Sequence, residues 1–196
     1  MTNAMYVAIF SAFIALMSLA VSVSTMYFTW LRRGRLAMTK PTLVFFGFDK
    51  VPKRTAKIFL RTLLYSTSVK GKVVEGMYVK LYRDDVAETF SFWGYGETEK
   101  ISPGSGLFVS ESGVAANHHF VMSAHQPAFD FAAGNYRIEV FARLAGESKP
   151  LKLADIAFTV EAPQAASLSV GTGVLFELLP DAQKYVGHVD SRNRPH

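Results

Sequence analysis

From residue 1 to Leu31 the chain carries no charged side chain, and from Met5 onward it is mostly apolar. A run of that length predicts one helix able to cross a bilayer, because about 20 residues span a ~30 Å hydrocarbon core. Tyr6 at one end, and Tyr27 and Trp30 at the other, stand where interfacial aromatic anchors are expected. Beyond Lys40 the pattern changes to short β-branched and aromatic runs bounded by Gly, Pro, Asn or Asp. Such runs predict the antiparallel strands of an all-β sandwich, here over 42–48, 57–66, 76–83, 89–95, 106–110, 118–123, 136–144 and 155–161. Alternation assigns Met77, Val79 and Leu81 to one face, and likewise Tyr136, Ile138, Val140 and Ala142. No long amphipathic helix interrupts these strands, which argues against a parallel α/β sheet. The chain thus divides into an anchor with a basic flank (1–34), a sandwich (35–162), and a linker, short apolar segment and polar tail (163–196).

The predicted helix has two unlike faces. Ala4, Ala8, Ser11, Ala15, Ser18, Ser22, Thr25 and Thr29 recur at alternating spacings of 4 and 3, and all are small or hydroxylated. Val7, Ile9, Phe10, Phe13, Leu16 and Leu19 lie elsewhere on the surface and suit lipid tails. Helices associate in lipid through close backbone approach, so small and hydroxylated residues gather at their contacts. Ala8, Ser11, Ala15, Ser18, Ser22 and Thr25 are therefore the expected seam for a second transmembrane helix. A 3.5-residue repeat implies left-handed crossing.

Charge is segregated along the chain. Residues 32–72 hold eleven Lys or Arg against Asp49 alone, and residues 73–196 hold ten basic against fifteen acidic side chains. Arg32, Arg33, Arg35 and Lys40 follow the span closely, whereas no Lys or Arg precedes it. Basic residues stay on the cytoplasmic side, so this bias predicts an outside N-terminus and a cytoplasmic sandwich, with these four residues near the membrane surface. A cleaved signal peptide, with cleavage near Ser18-Leu19-Ala20, would need a basic n-region and an apolar run of roughly 7–15 residues. The chain offers neither. Nucleic-acid binding is not expected, because the basic residues form no recognisable binding motif.

The segment Gly134-Asn135-Tyr136-Arg137-Ile138-Glu139-Val140, with Ala154-Asp155-Ile156-Ala157-Phe158-Thr159-Val160 after it, resembles the final hairpin of immunoglobulin-like and fibronectin-III-like domains. There a Gly-x-Tyr corner opens the penultimate strand. The resemblance covers about thirty residues, implies a fold rather than an activity, and lacks the Cys–Trp–Cys core of antibody domains. Several further stretches, among them Glu75-Gly76-Met77-Tyr78-Val79-Lys80-Leu81 and Asn117-His118-His119-Phe120, resemble membrane-anchored bacterial proteins and imply no chemistry.

Candidate chemistry is sparse. The absence of cysteine excludes thiol catalysis and Cys-ligated zinc. His118 and His119, with His125 nearby, are adjacent on a predicted strand and so point to opposite faces; one is expected in the core or a turn and one at the surface. No acidic residue or cysteine stands at ligand spacing beside them, and no metal or cofactor is expected. Unbroken alternation through Phe90-Ser91-Phe92-Trp93-Gly94-Tyr95 would make Phe90 and Phe92 core, leaving Trp93 and Tyr95 on the opposite face. That second face would be covered by the C-terminal tail or would receive a protein partner. Ser102-Pro103-Gly104-Ser105-Gly106 reads as a turn, not a phosphate loop, since neither Gly-Lys-Ser/Thr nor a helix follows. The apolar 175–179 segment either packs back on the sandwich or docks on a partner. These features together lead to the expectation of a non-enzymatic, membrane-anchored module serving as subunit or scaffold in a membrane complex. A tethered ligand-binding or sensing domain is the main alternative, and an exported enzyme or adhesin a more distant one.

Overall fold

The computed structural model describes residues 2–31, 34–49, 54–84, 86–97, 101–123 and 125–189. Residues 2–31 contain neither Gly nor Pro, and they form α1 (Thr2–Met26) continued by one π-helical turn (Tyr27–Leu31). Every side chain from Asn3 to Thr29 is exposed, so this stretch of the helix is covered by none of the described residues. Its 27 residues from Asn3 to Thr29 are long and apolar enough to cross a membrane. At about 1.5 Å per residue they reach roughly 40 Å, more than the hydrocarbon core requires.

The strands are β1 (Leu36–Met38), β2 (Leu43–Asp49), β3 (Thr55–Ser66), β4 (Lys72–Arg83), β5 (Val86–Phe90), β6 (Phe92–Tyr95), β7 (Ser102–Pro103), β8 (Leu107–Val109), β9 (Val114–Val121), β10 (Gly134–Leu144) and β11 (Leu151–Val160). A short helix, α2 (Ala162–Ser169), then leads to the hairpin of β12 (Val174–Leu179) and β13 (Lys184–Val189). One sheet runs β13-β12-β2-β3-β9-β6-β7, with β1 also on β3; the other runs β11-β10-β4-β5, with β8 also on β4. All pairings are antiparallel.

The sheets face each other across an aromatic core. Phe46 of β2 stacks on Phe131 at 4.5 Å between ring centres and meets Tyr136 of β10, Phe158 of β11 and Phe176 of β12 at 5.4–5.6 Å. Aromatic pairs at these separations add about 0.5–1.5 kcal/mol beyond the area they bury. The alternation expected on β4 and β10 holds: Met77, Val79 and Leu81, and Tyr136, Ile138, Val140 and Ala142, are all buried.

Two expectations need correction. The 89–95 run is two strands, because the chain leaves one sheet at Ser91 and enters the other. The break shifts the alternation by one residue. Phe90 is fully buried, Phe92 is 64% exposed, and Trp93 turns into the core at 5%. The second concerns residues 163–189: the expected linker is a helix, and of the two readings of the apolar 175–179 segment, packing back on the sandwich is the one seen. Gln164 caps α2 by accepting from the Glu161 amide at 2.9 Å, Leu168 is buried, and β12 zips onto β2 from Val174↔Phe46 to Glu177↔Leu43. Tyr185 locks the hairpin by donating to the Pro41 carbonyl at 2.7 Å. The polar end with Arg192 and Arg194 lies outside the described residues.

The displaced alternation gives a test. Phe90→Ala should cost about 3–5 kcal/mol, whereas Phe92→Ala should stay within about 0.5 kcal/mol of the parent. Chemical unfolding of the full chain in detergent, followed by tryptophan emission, separates the two. Equal losses would contradict the sheet change at Ser91.

Candidate functional site

Trp93 and Tyr95, whose expected face is one covered by the chain itself or receiving a partner, belong to a cluster with His118. The register of β6 against β9 sets Trp93 opposite Phe120 and Tyr95 opposite His118. The Trp93 indole N–H donates to His118 Nδ1 at 3.2 Å, and the Trp93 ring lies 6.1 Å from the imidazole and 5.4 Å from Tyr95. What covers Trp93 is the chain just after β6, not the C-terminal tail. Gly104 donates its amide to the Trp93 carbonyl at 2.9 Å, and a Cβ at Gly104 would run into the indole ring. The glycine-rich turn is thus a close-approach device, letting backbone lie flat on an aromatic ring. Tyr95 remains half-buried.

His118 and His119 do point to opposite faces of β9, yet both are buried, at 0% and 5% exposure. This corrects the expectation of one surface histidine. His118 enters the core with Trp93, and burial, helped by the neighbouring His119, lowers its pKa to about 4. The indole N–H fixes Nδ1 as the acceptor, so the neutral ring carries its proton on Nε2, which has no hydrogen-bond partner among the described residues. His119 lies on the outer face at the end of an aromatic row, 5.5 Å from Phe59, which stacks on Phe45 at 5.0 Å. Burial lowers its pKa, with the Lys57 ammonium adding to the effect; the Gly96 carbonyl, Asp49 and Glu97 oppose it. The two rings cannot converge on one ion. Among the described residues no group of three His, Asp, Glu or Cys side chains could hold a metal. His125 stands apart in the turn after β9.

The outer face of the second sheet carries an ion network that alternation alone did not reveal. Glu139, 9% exposed, accepts from Lys152 at 2.7 Å, Tyr82 at 3.0 Å and Arg137 at 3.3 Å. Lys152 also bridges to Asp155 at 2.7 Å. The Lys152 hydrogen bond is the main force holding the Glu139 carboxyl below its ordinary range. With its charges answered internally, the network braces β4, β10 and β11 and presents no unbalanced charge to a ligand.

On α1 the small stripe is exposed along its length. Ser22 donates to the Ser18 carbonyl at 2.9 Å, Thr25 to Val21 at 2.8 Å and Thr29 to Thr25 at 2.6 Å. These hydroxyl protons are satisfied within the helix, so what the stripe offers a neighbour is chiefly low volume. Of the basic flank, Arg35 and Lys40 are exposed on the sandwich, Lys40 donating to the Gln183 carbonyl at 3.2 Å. Arg32 and Arg33 lie outside the described residues.

His118 gives the sandwich a definite acid response. Its folded pKa near 4 lies below the ordinary 6.5, so the unfolded chain binds the extra proton first. Stability should fall as pH drops from 6.5 to 4, by about 3 kcal/mol if His118 acts alone. His118→Gln, whose amide oxygen can still accept from Trp93, should flatten that part of the profile. Denaturant midpoints across this range check it, and an unchanged slope in the variant would refute the assignment.

No protein-family model matches this chain, and no curated protein matches it significantly.

Proposed function

We propose that the protein is a single-pass, membrane-anchored, non-catalytic module: its helix packs in a membrane complex and its sandwich acts there as subunit or scaffold. The observation that carries this reading is α1. A stretch of 27 uncharged residues whose described side chains are all exposed finds no cover among the described residues, which supports lipid or another helix as its surroundings. The seam for a neighbour is Ala8, Ser11, Ala15, Ser18, Ser22 and Thr25, where backbones can approach closely.

The sandwich is read as immunoglobulin-like. Support comes from the strand order, since β2-β3-β9-β6 facing β11-β10-β4-β5 follows the A-B-E-D and G-F-C order of that fold. Tyr136 adds to it, opening β10 and donating its hydroxyl to the Ala132 carbonyl at 2.8 Å, as a tyrosine corner does. The sandwich is assigned to the cytoplasm because Arg32, Arg33, Arg35 and Lys40 all follow the span. A ligand pocket at His118, His119 and His125 finds no comparable support, since the first two rings are packed on opposite faces.

Two experiments test the reading. Ser18→Phe or Ser22→Phe should weaken self- or hetero-association in a membrane-helix assay by about tenfold, the equivalent of 1–2 kcal/mol of helix packing. Leu16→Phe should leave association intact, and equal effects on both faces would remove the seam. A reporter fused after His196 should behave as cytoplasmic, and periplasmic phosphatase activity from that fusion would reverse the orientation.

A further inference from the structure

We infer that one end of the sandwich rests on the bilayer surface, with Val69 and Phe108 set into the headgroup region and basic side chains beside them. The inference rests on the reading of α1 as a membrane anchor and adds to it a fixed posture for the domain.

The first argument is reach. The helix ends at Leu31, and the folded domain already begins at Gly34. Three residue steps extend at most about 11 Å, so the part of the sandwich holding Gly34 stays within that distance of the helix end. Gly34 is held tightly. It is buried, and a Cβ there would run into the side chain and backbone of Ser68. Next to it the Arg35 amide donates to the Thr67 hydroxyl at 2.8 Å, and the Thr67 amide donates back to the Arg35 carbonyl at 3.0 Å. The chain leaving the membrane is thereby clamped to the β3–β4 turn.

The second argument is what that turn presents. It closes by the Gly71 amide donating to the Ser68 carbonyl at 3.1 Å, which puts Val69 and Lys70 at its tip. Val69 is 61% exposed. Phe108 of the adjacent β8 lays its ring against Gly71, whose φ of +65° and missing Cβ make room for it, and it is still 55% exposed. Val73, its cross-strand partner, is 39% exposed. Arg35 and Lys70 stand exposed alongside, and the nearby Glu147 is neutralised by Lys72 at 3.1 Å. Glu111, exposed in the turn after β8, is an acid at this end with no ion pair among the described residues, set against the exposed Arg35 and Lys70. Apolar side chains at a loop tip with cations beside them suit an interface of lipid headgroups, where the apolar part sinks and the cationic groups remain among phosphates. In an anionic leaflet each cation held close adds to the attraction.

The chain has no cysteine, so single-cysteine variants can be labelled cleanly. The full chain carrying Val69→Cys, Phe108→Cys, Val170→Cys or Leu16→Cys is labelled with the fluorophore NBD. Each is reconstituted in phosphatidylcholine vesicles with a minority of phosphatidylglycerol. Val170, 70% exposed near Arg54, marks the opposite end of the sandwich. Labels at 69 and 108 should lose most of their emission to lipids bearing headgroup-level nitroxides, the label at 170 should not, and the label at 16 should be quenched by acyl-chain nitroxides. If 16 is quenched while 69 and 108 behave like 170, the posture is overturned and the anchor stands. If 16 escapes lipid quenchers, the anchor reading falls and takes the posture with it. Labels at 69 and 108 shielded from aqueous iodide yet untouched by lipid nitroxides would mean that protein covers the patch, which also overturns the proposal.

Discussion

Phe46 is the contact on which the sandwich depends. Its ring meets partners from four other parts of the chain: the 127–133 segment, β10, β11 and β12. Those partners span Phe131 to Phe176, so none of the packing is local in sequence, and the loop-closure entropy it costs must be recovered at once when the sheets close. Phe158 extends the set by packing on Phe176 at 4.6 Å and Tyr185 at 5.8 Å. The C-terminal hairpin is consequently part of the core. Without β12 and β13 the edge of β2 and one flank of the Phe46 ring would lie open, and an open edge strand is an aggregation hazard.

The strands that the sequence announced are those whose two faces differ in polarity. β4 from Met77 and β10 from Tyr136 alternate, and their inner residues are buried as alternation requires, Glu139 being the outward residue that its ion network also covers. Reading failed where a three-dimensional event interrupts the period. At Ser91 the chain changes sheet, an event with no glycine or proline to mark it, and the parity of Phe92, Trp93 and Tyr95 inverts. At β12 the residues Val-Leu-Phe-Glu-Leu-Leu alternate weakly, and it is their pairing with β2 and β13 that makes them a strand. Asn117-His118-His119-Phe120 looked half-polar, yet all four residues are buried because β9 is an interior strand flanked by β3 and β6.

That burial explains why the candidate chemistry dissolved on inspection. A histidine whose charged form is disfavoured by burial, and whose Nδ1 is committed to an indole, is a packing element of the core. The glycine-rich turn over Trp93 completes the same unit: Gly104 supplies flat backbone, Trp93 the ring, and His118 the acceptor that the buried indole N–H needs. The Trp93 indole is answered in this way, while the buried Asn117 Oδ1 and His118 Nε2 find no hydrogen-bond partner among the described residues. Unmet demands of another kind lie in the exposed apolar surface of α1 and at the loop tip holding Val69 and Phe108.

These two unmet surfaces are linked by covalent geometry. A long flexible linker would let a sandwich sample many orientations above a membrane, so that no face of it would be selected for lipid. Here only residues 32 and 33 separate the helix from Gly34, and the Gly34–Ser68 contact with the paired hydrogen bonds between Arg35 and Thr67 removes further slack. The end bearing Gly34 is thereby kept next to the helix terminus, and the opposite end, where Arg54 meets Asp130 and α2, is held away along the length of β3. At about 3.3 Å per residue that strand sets the two ends roughly 35–40 Å apart. Any protein partner of the sandwich, approaching from the aqueous side, would meet the far loops and the outer faces of the two sheets. On one of those faces the charges around Glu139 are already balanced, and on the other Phe45, Phe59 and His119 form a half-buried aromatic row. The outer face of the second sheet also carries an aromatic pair, Tyr78 stacked on Phe141 at 5.0 Å, beside that balanced network, so aromatic surface is present on both sheets.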